Sequence, residues 1–137
     1  MNYSILEIAS ILGVKSDGLT NCTIDTLLTD SRSLTYPETS LFFAIRTNSN
    51  DGHKYVNQLY NNGVRNFVVE EKPQGQYSNS TNFIVVENTT TALQDLAAYH
   101  RQRFNIPVIA ITGSRGKTIV KEWLYQLLKD KFNCCRS

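Results

Sequence analysis

The sequence predicts an α/β layered fold, and three observations carry that prediction. Short β-rich runs, "TIDTLLTDSR", "SLFFAIR", "RNFVVEE" and "NFIVVEN", alternate with segments of helical period. A glycine loop, "TGSRGKT", stands between an apolar run and an amphipathic segment near the end of the chain. The 137 residues, 41% hydrophobic and 19% charged, suffice for one well-packed domain and are a tight fit for two.

Taken in order, Ser4 followed by Glu7 is a capping box. The stripe of Ile5, Leu6, Ile8, Ala9, Ile11 and Leu12 predicts a helix from Ser4 to Leu12, stopped by Gly13. "TIDTLLTDSR" and "SLFFAIR" predict strands parted by a polar turn at Tyr36-Pro37. "DGHKYVNQLYNNG" places Tyr55, Val56 and Leu59 at helical spacing and ends on a strong stop. Two further strands, "RNFVVEE" and "NFIVVEN", flank a polar loop from Pro73 to Thr81. "TTTALQDLAAYHRQRF" returns to helical period, with Thr91 or a neighbour as its cap. "HRQRFN" before Pro107 marks the expected boundary, so residues 1–104 form one domain and 105–137 begin another with a strand at "PVIAIT".

Fourteen Lys and Arg against twelve Asp and Glu leave a net charge of +2, without long runs of one sign. That gives no electrostatic basis for binding nucleic acid or an anionic membrane. No apolar run approaches the roughly 20 residues of a membrane span, and the start lacks a signal-peptide pattern, so a cytoplasmic protein is expected. Cys22, Cys134 and Cys135 lack metal-ligand spacing and are expected as free thiols.

The chemistry is concentrated in "TGSRGKT". Gly113 and Gly116 let the backbone turn its N–H groups inward, and a helix starting near Lys117 aims its positive end at the same point. Lys117 adds a point charge for outer phosphates, and the Thr118 hydroxyl is a Mg²⁺ ligand of the right type. The spacing is the shorter G-x-x-G-K-T form, since a full P-loop would need glycine at Ile111. Chance alone gives such a match on the order of one time in a few hundred. Helical residues Val120, Trp123, Leu124, Leu127 and Leu128 behind the loop make coincidence rarer still. Asp30-Ser31-Arg32 can hydrogen-bond a polar ligand or form an ordinary turn. His53 is either a ligand contact or a helix-start residue, and His100, in a charged helix end, is expected to be solvated.

Together these pieces resemble the Mur ligases, the ATP-dependent amide-forming enzymes of peptidoglycan precursor synthesis. "TDSRSLTYPETSLFFAIRTNSNDGHKYVNQLYNNGVRNFVVEE" is similar to the N-terminal UDP-sugar-binding domain of the MurE and MurF branch, and "ITGSRGKT" to the family's ATP loop. Ser114 after Gly113, with Lys121-Glu122 following, is closer to the MurF pattern than to the MurE one; Arg115 departs from both. The fold expected from the resemblance is therefore α/β: that N-terminal domain, then the first strand, P-loop and helix of a truncated central ATPase domain.

The resemblance implies a ligase that joins D-alanyl-D-alanine to UDP-N-acetylmuramoyl-tripeptide through an acyl phosphate, with ATP and Mg²⁺ as cofactors. ATP binding then falls on Gly113, Ser114, Arg115, Gly116, Lys117 and Thr118, with Lys117 catalytic and Thr118 on the metal. UDP-sugar contacts fall on Thr29, Ser31, Arg32, Asn48, Ser49, Asn50 and, more weakly, His53. It also implies central and C-terminal domains on the same polypeptide, joined in some relatives by a fused alanine racemase domain, so the 137-residue chain alone is expected to be inactive. The alternatives are a MurE-type ligase adding the third amino acid, and a nucleotide-sugar-binding module without chemistry.

Overall fold

The computed structural model describes residues 2–135. Two compact units divide the chain, Met1–Phe104 and Asn105–Ser137.

The first unit is built on a parallel four-stranded sheet in the order β3-β4-β5-β6, formed by Thr26–Leu28, Ser40–Phe43, Asn66–Val69 and Asn82–Val85. Register is set by Leu28 opposite Phe42, Phe43 opposite Val68 and Val69 opposite Val85. Strands β4 and β5 are buried on both faces at every position, which is why they read in sequence as near-continuous apolar runs. Period 2 sends Leu41 and Phe43 to one face with Val68 and Ile84, against helices α1 (Ile5–Ile11) and α3 (Thr89–Gln102). Phe42, Ala44, Phe67 and Val69 face the other way, onto Val56 and Leu59 of α2 (Val56–Asn61). Each such fully buried large side chain contributes about 1.5–3 kcal/mol relative to exposure.

Local signals behave as their chemistry requires. Ser4 caps α1 by accepting the Glu7 N–H at 3.1 Å, and the helix ends at Ile11 with Leu12 as its C-cap, followed by Gly13, whose φ of 67° lies in the left-handed region. Three features differ from expectation. Tyr3–Ser4 forms a strand, β1, antiparallel to β2 (Thr23–Ile24); a two-residue pairing leaves no periodic trace in sequence. The cap of α3 is Asn88, whose side chain accepts the Thr91 N–H at 2.8 Å, because Thr89 turns inward to donate to the Ala44 carbonyl instead. His100 is not a solvated end residue: its Nδ1 lies 2.9 Å from the Tyr3 hydroxyl and its ring packs edge-on against Tyr3 and Phe104.

In the second unit, helix α4 spans Lys117–Leu128. Residues 105–112 form no strand among the described residues, and an apolar run becomes a strand only where a neighbouring strand takes its ladder hydrogen bonds. The apolar side chains of Val108, Ile109, Trp123 and Leu127 are exposed accordingly. No helix among the described residues is long and apolar enough to cross a membrane.

Candidate functional site

In a parallel sheet the crevice beyond the carboxyl ends of the strands is where backbone groups and loops are free to meet a ligand. The candidate UDP-sugar residues follow the carboxyl ends of the neighbouring strands β3 and β4. Beyond β3, Asp30 accepts the backbone N–H of Arg32 at 3.0 Å and closes the single 3₁₀ turn Ser31–Ser33. Its carboxylate also takes the Arg32 guanidinium at 2.6 Å. Hydrogen bonds from Arg32 hold the Asp30 carboxyl at about 2, below its usual 3.8. The Arg32 side chain is 87% exposed, so the pair fixes the direction of a cation that still faces solvent. Thr29 is exposed at the strand exit, and Ser31 is half-buried.

Beyond β4 the chain makes a closed loop. Arg46 and Asp51 form an antiparallel bridge. Between them the Thr47 N–H donates to the Asn50 carbonyl at 2.8 Å, and the Asn50 N–H donates to Thr47 Oγ1 at 3.1 Å. Asn48, Ser49 and Asn50 are therefore presented, exposed, at the tip of a tight turn.

Asp51 organises the next segment. One of its oxygens accepts the His53 backbone N–H at 3.0 Å and the His53 Nδ1–H at 2.7 Å. Nε2 of the same ring accepts the Glu70 N–H at 2.9 Å. Both ring nitrogens are thus engaged within the protein, and the ring bridges the β4 exit to the end of β5. Gly52 makes this crossing possible, since its chain passes directly against the backbone of Ala44 and Ile45.

Four residues of this end of the sheet were not singled out from sequence. Arg46 contacts Asp51 at 3.1 Å, Glu70 at 3.2 Å and Glu71 at 3.2 Å. Glu70 in turn accepts from the backbone N–H and the hydroxyl of buried Thr89 at 3.2 and 3.3 Å, tying the start of α3 to the cluster. The available signal was the Arg and Asp flanking the polar turn "TNSN", together with the two acids that end "NFVVEE".

The electrostatics carry a pH consequence. The Asp51 carboxyl is held at about 2, below its usual 3.8, first by the His53 backbone N–H and then by the His53 side chain and Arg46. A depressed carboxyl stabilises the fold above the unfolded value and loses that contribution as pH falls from 3.8 toward 2. With 43% of the side chain exposed, screening keeps the effect below about 1 kcal/mol. Asp51→Asn is expected to fold and to lose stability less steeply than the parent over that interval, read by denaturant midpoints. Parallel acid limbs would contradict the assignment.

In the second unit the phosphate-type loop has the geometry its glycines allow. Gly113 and Gly116 have φ of 149° and 80°, and Gly116 directly precedes α4, which no side chain caps. The Lys117 ammonium folds back onto the Gly113 carbonyl and so spans the loop. Ser114, Arg115 and Thr118 are exposed around it. A helix start of this kind offers N–H groups and a partial positive charge to an anion. The Thr118 hydroxyl suits one ligand position of a phosphate-bound Mg²⁺. Among the described residues no group of three or more His, Cys, Asp or Glu is placed to hold a metal by itself.

No protein-family model matches the chain. It is 35% identical over 129 residues to a UDP-N-acetylmuramoyl-tripeptide--D-alanyl-D-alanine ligase of Haemophilus influenzae, covering 94% of this chain and 27% of that protein. A crystal structure of MurF from Acinetobacter baumannii superposes with a TM-score of 0.82 at 29% identity, covering 96% of this chain and 28% of that one. MurF ligase from Thermotoga maritima, solved in complex with ADP, gives 0.65 at 30% identity, over 85% and 25% of the two chains. A UDP-N-acetylmuramoyl-L-alanyl-D-glutamate 2,6-diaminopimelate ligase of Parabacteroides distasonis is 32% identical over 126 residues, 90% of this chain and 24% of that protein. The chain spans about a quarter of the length of these proteins. With a mixed α/β fold shared along nearly its whole length with MurF and sequence identity at the level of its curated relatives, the chain belongs to the Mur ligase family, on the MurF side of it.

Proposed function

We propose that this chain supplies the UDP-sugar-binding portion, and the start of the ATP-binding portion, of a ligase that joins D-alanyl-D-alanine to UDP-N-acetylmuramoyl-tripeptide. The observation that carries the reading is the arrangement beyond β3 and β4. A fixed but solvent-facing Arg32 and a closed polar loop follow adjacent parallel strands in a chain similar to MurF. Arg32 suits a diphosphate, which a guanidinium meets with two parallel N–H bonds. Thr29, Ser31 and the 48–50 tip suit the hydroxyl, carbonyl and amide groups of uridine and the sugar. With both ring nitrogens engaged, His53 acts in this reading by holding the loop rather than by touching the ligand.

The ADP complex of the Thermotoga maritima relative supports a nucleotide at "TGSRGKT". There the ammonium of Lys117 would exchange the Gly113 carbonyl for a phosphate oxygen. The loop and helix N–H groups would then stabilise charge on the transferred phosphoryl group, with Gly113, Ser114, Arg115 and Gly116 shaping the cradle. Mg²⁺, held in part by Thr118, would neutralise the outer phosphates when bound. The acceptor of the phosphoryl group is the peptide carboxylate of the UDP-sugar, and attack by the amine of D-alanyl-D-alanine then forms the amide and releases phosphate.

Isothermal calorimetry on the 137-residue chain tests this. UDP-N-acetylmuramoyl-tripeptide is expected to bind in preference to UDP, and Arg32→Ala to weaken that binding about tenfold or more, as loss of a charged hydrogen-bonding partner does. Equal affinity for UDP and the UDP-sugar peptide, or no effect of Arg32→Ala, would count against it. MurE-type chemistry is the second reading, favoured by the similarity to the diaminopimelate-adding relative. It predicts preference for the UDP-sugar dipeptide over the tripeptide.

A further inference from the structure

The role of Arg46 follows from where its contacts lie. Its side chain is 44% exposed and engages three carboxylates, those of Asp51, Glu70 and Glu71. Exposed ion pairs add little to stability, so global stability is a weak explanation for three acids converging on one guanidinium. The contacts are instead well placed to fix position. Asp51 closes the loop that begins at Arg46, while Glu70 and Glu71 follow the last residue of β5. The loop tip is entirely exposed, and its own closure rests on the few hydrogen bonds between Thr47 and Asn50. Without an external tie such a loop opens at little cost, and a ligand must then supply the energy of ordering it.

We propose that Arg46 is a positioning residue for the nucleotide-sugar site, latching the 46–51 loop to the end of β5 so that Asn48, Ser49 and Asn50 stand in one ligand-ready arrangement. This rests on the UDP-sugar reading above. A planar guanidinium can reach three carboxylates from one fixed fork, whereas an ammonium is a single point charge. His53 provides a second tie between the same two places, through Asp51 on one side and the Glu70 N–H on the other.

The test uses the 137-residue chain with UDP-N-acetylmuramoyl-tripeptide as the probe, read by calorimetry, thermal unfolding and amide hydrogen exchange. Arg46→Met is expected to bind about tenfold more weakly. The Thr47 and Asn50 amides should exchange faster while those of Phe43 and Val68 in the sheet do not, and Tm should fall by no more than about 4 °C. Arg46→Lys should fall between the two. Parental affinity in Arg46→Met overturns the proposal, as does loosening of the sheet amides in parallel with the loop, which would make Arg46 merely structural. If the parent chain binds no UDP-sugar, the nucleotide-sugar reading falls and this one with it. If the parent binds and Arg46→Met binds equally well, only the latch falls.

Discussion

Gly52→Ala is expected to destabilise the first unit by about 3 kcal/mol or more, lower its Tm by roughly 12–24 °C and abolish UDP-sugar binding. A Cβ at this position would lie 2.7 Å from the Ile45 nitrogen, 2.8 Å from the Ala44 carbonyl carbon and 2.8 Å from the Ile45 oxygen. All three are backbone atoms, so no side-chain rotation relieves the clash. The neighbouring backbone is held as well. The Ala44 N–H donates to the Val68 carbonyl at 2.9 Å, and the Gly52 N–H donates to the Ile45 carbonyl at 2.8 Å. Moving residues 44–45 aside therefore loosens the exit of β4, while moving 51–53 aside breaks the Asp51 and His53 contacts that close the loop. Left-handed backbone geometry plays no part, because Gly52 is not among the positive-φ glycines. The clash alone carries the prediction. An alanine variant within 1 kcal/mol of the parent in urea unfolding, with unchanged affinity, would show that the crossing is not as tight as these distances require.

What could be read from sequence, and what could not, divides along the range of the interactions. Ser4 and Glu7 announce the start of α1 because a cap is made within three residues. Strands β4 and β5 announce themselves because burial on both faces leaves "LFF" and "FVV" apolar at every position. Asp30-Ser31-Arg32 and His53 could be marked as candidates within short local motifs, each of which folds on its own two-residue hydrogen bond to an aspartate. The Arg46 cluster could not, because Glu70 and Glu71 come to it only once β4 and β5 pair. Nor could the seat of His100, which depends on Tyr3 at the far end of the unit. "PVIAIT" carries the local signature of a strand, but a strand is a property of neighbours, and the described residues give it none. In "TGSRGKT" the two glycines and the lysine adopt a loop their sequence already specified, because its geometry needs only backbone freedom and one turn of helix.

Asn82→Ala is expected to cost about 2–4 kcal/mol while leaving UDP-sugar affinity unchanged, and the pairing of those outcomes is the point of the experiment. Asn82 opens β6 at the amino end of the sheet. Its side chain reproduces what a neighbouring strand would offer: Oδ1 accepts the Thr20 N–H at 2.7 Å, and Nδ2 donates to the Thr20 carbonyl at 2.9 Å. Nδ2 also donates to Oδ1 of Asn66, its register partner on β5, at 2.8 Å. The Asn66 amide group lies 3.4 Å from the Ser40 carbonyl, and its oxygen accepts from the Cys22 thiol at 3.1 Å, a thiol that burial pushes above its usual pKa. This side-chain chain thus holds residues 20–22 against three strands. Among the described residues no buried side-chain nitrogen or oxygen lacks a partner, so removing one amide leaves several groups short at once. Asn82→Asp should be worse than alanine at neutral pH, because it places a carboxylate against the Thr20 carbonyl and the Asn66 oxygen. The candidate site lies at the opposite, carboxyl end of the sheet, beyond β3 and β4, roughly 10 Å away along the strand direction alone and two strands or more across from β6. A variant that unfolds earlier yet binds as tightly, measured well below its Tm, would separate the end of the sheet that holds the domain together from the end that meets the ligand. Loss of affinity in step with loss of stability would mean that the two ends are not independent, and that the ligand is read by the sheet as a whole.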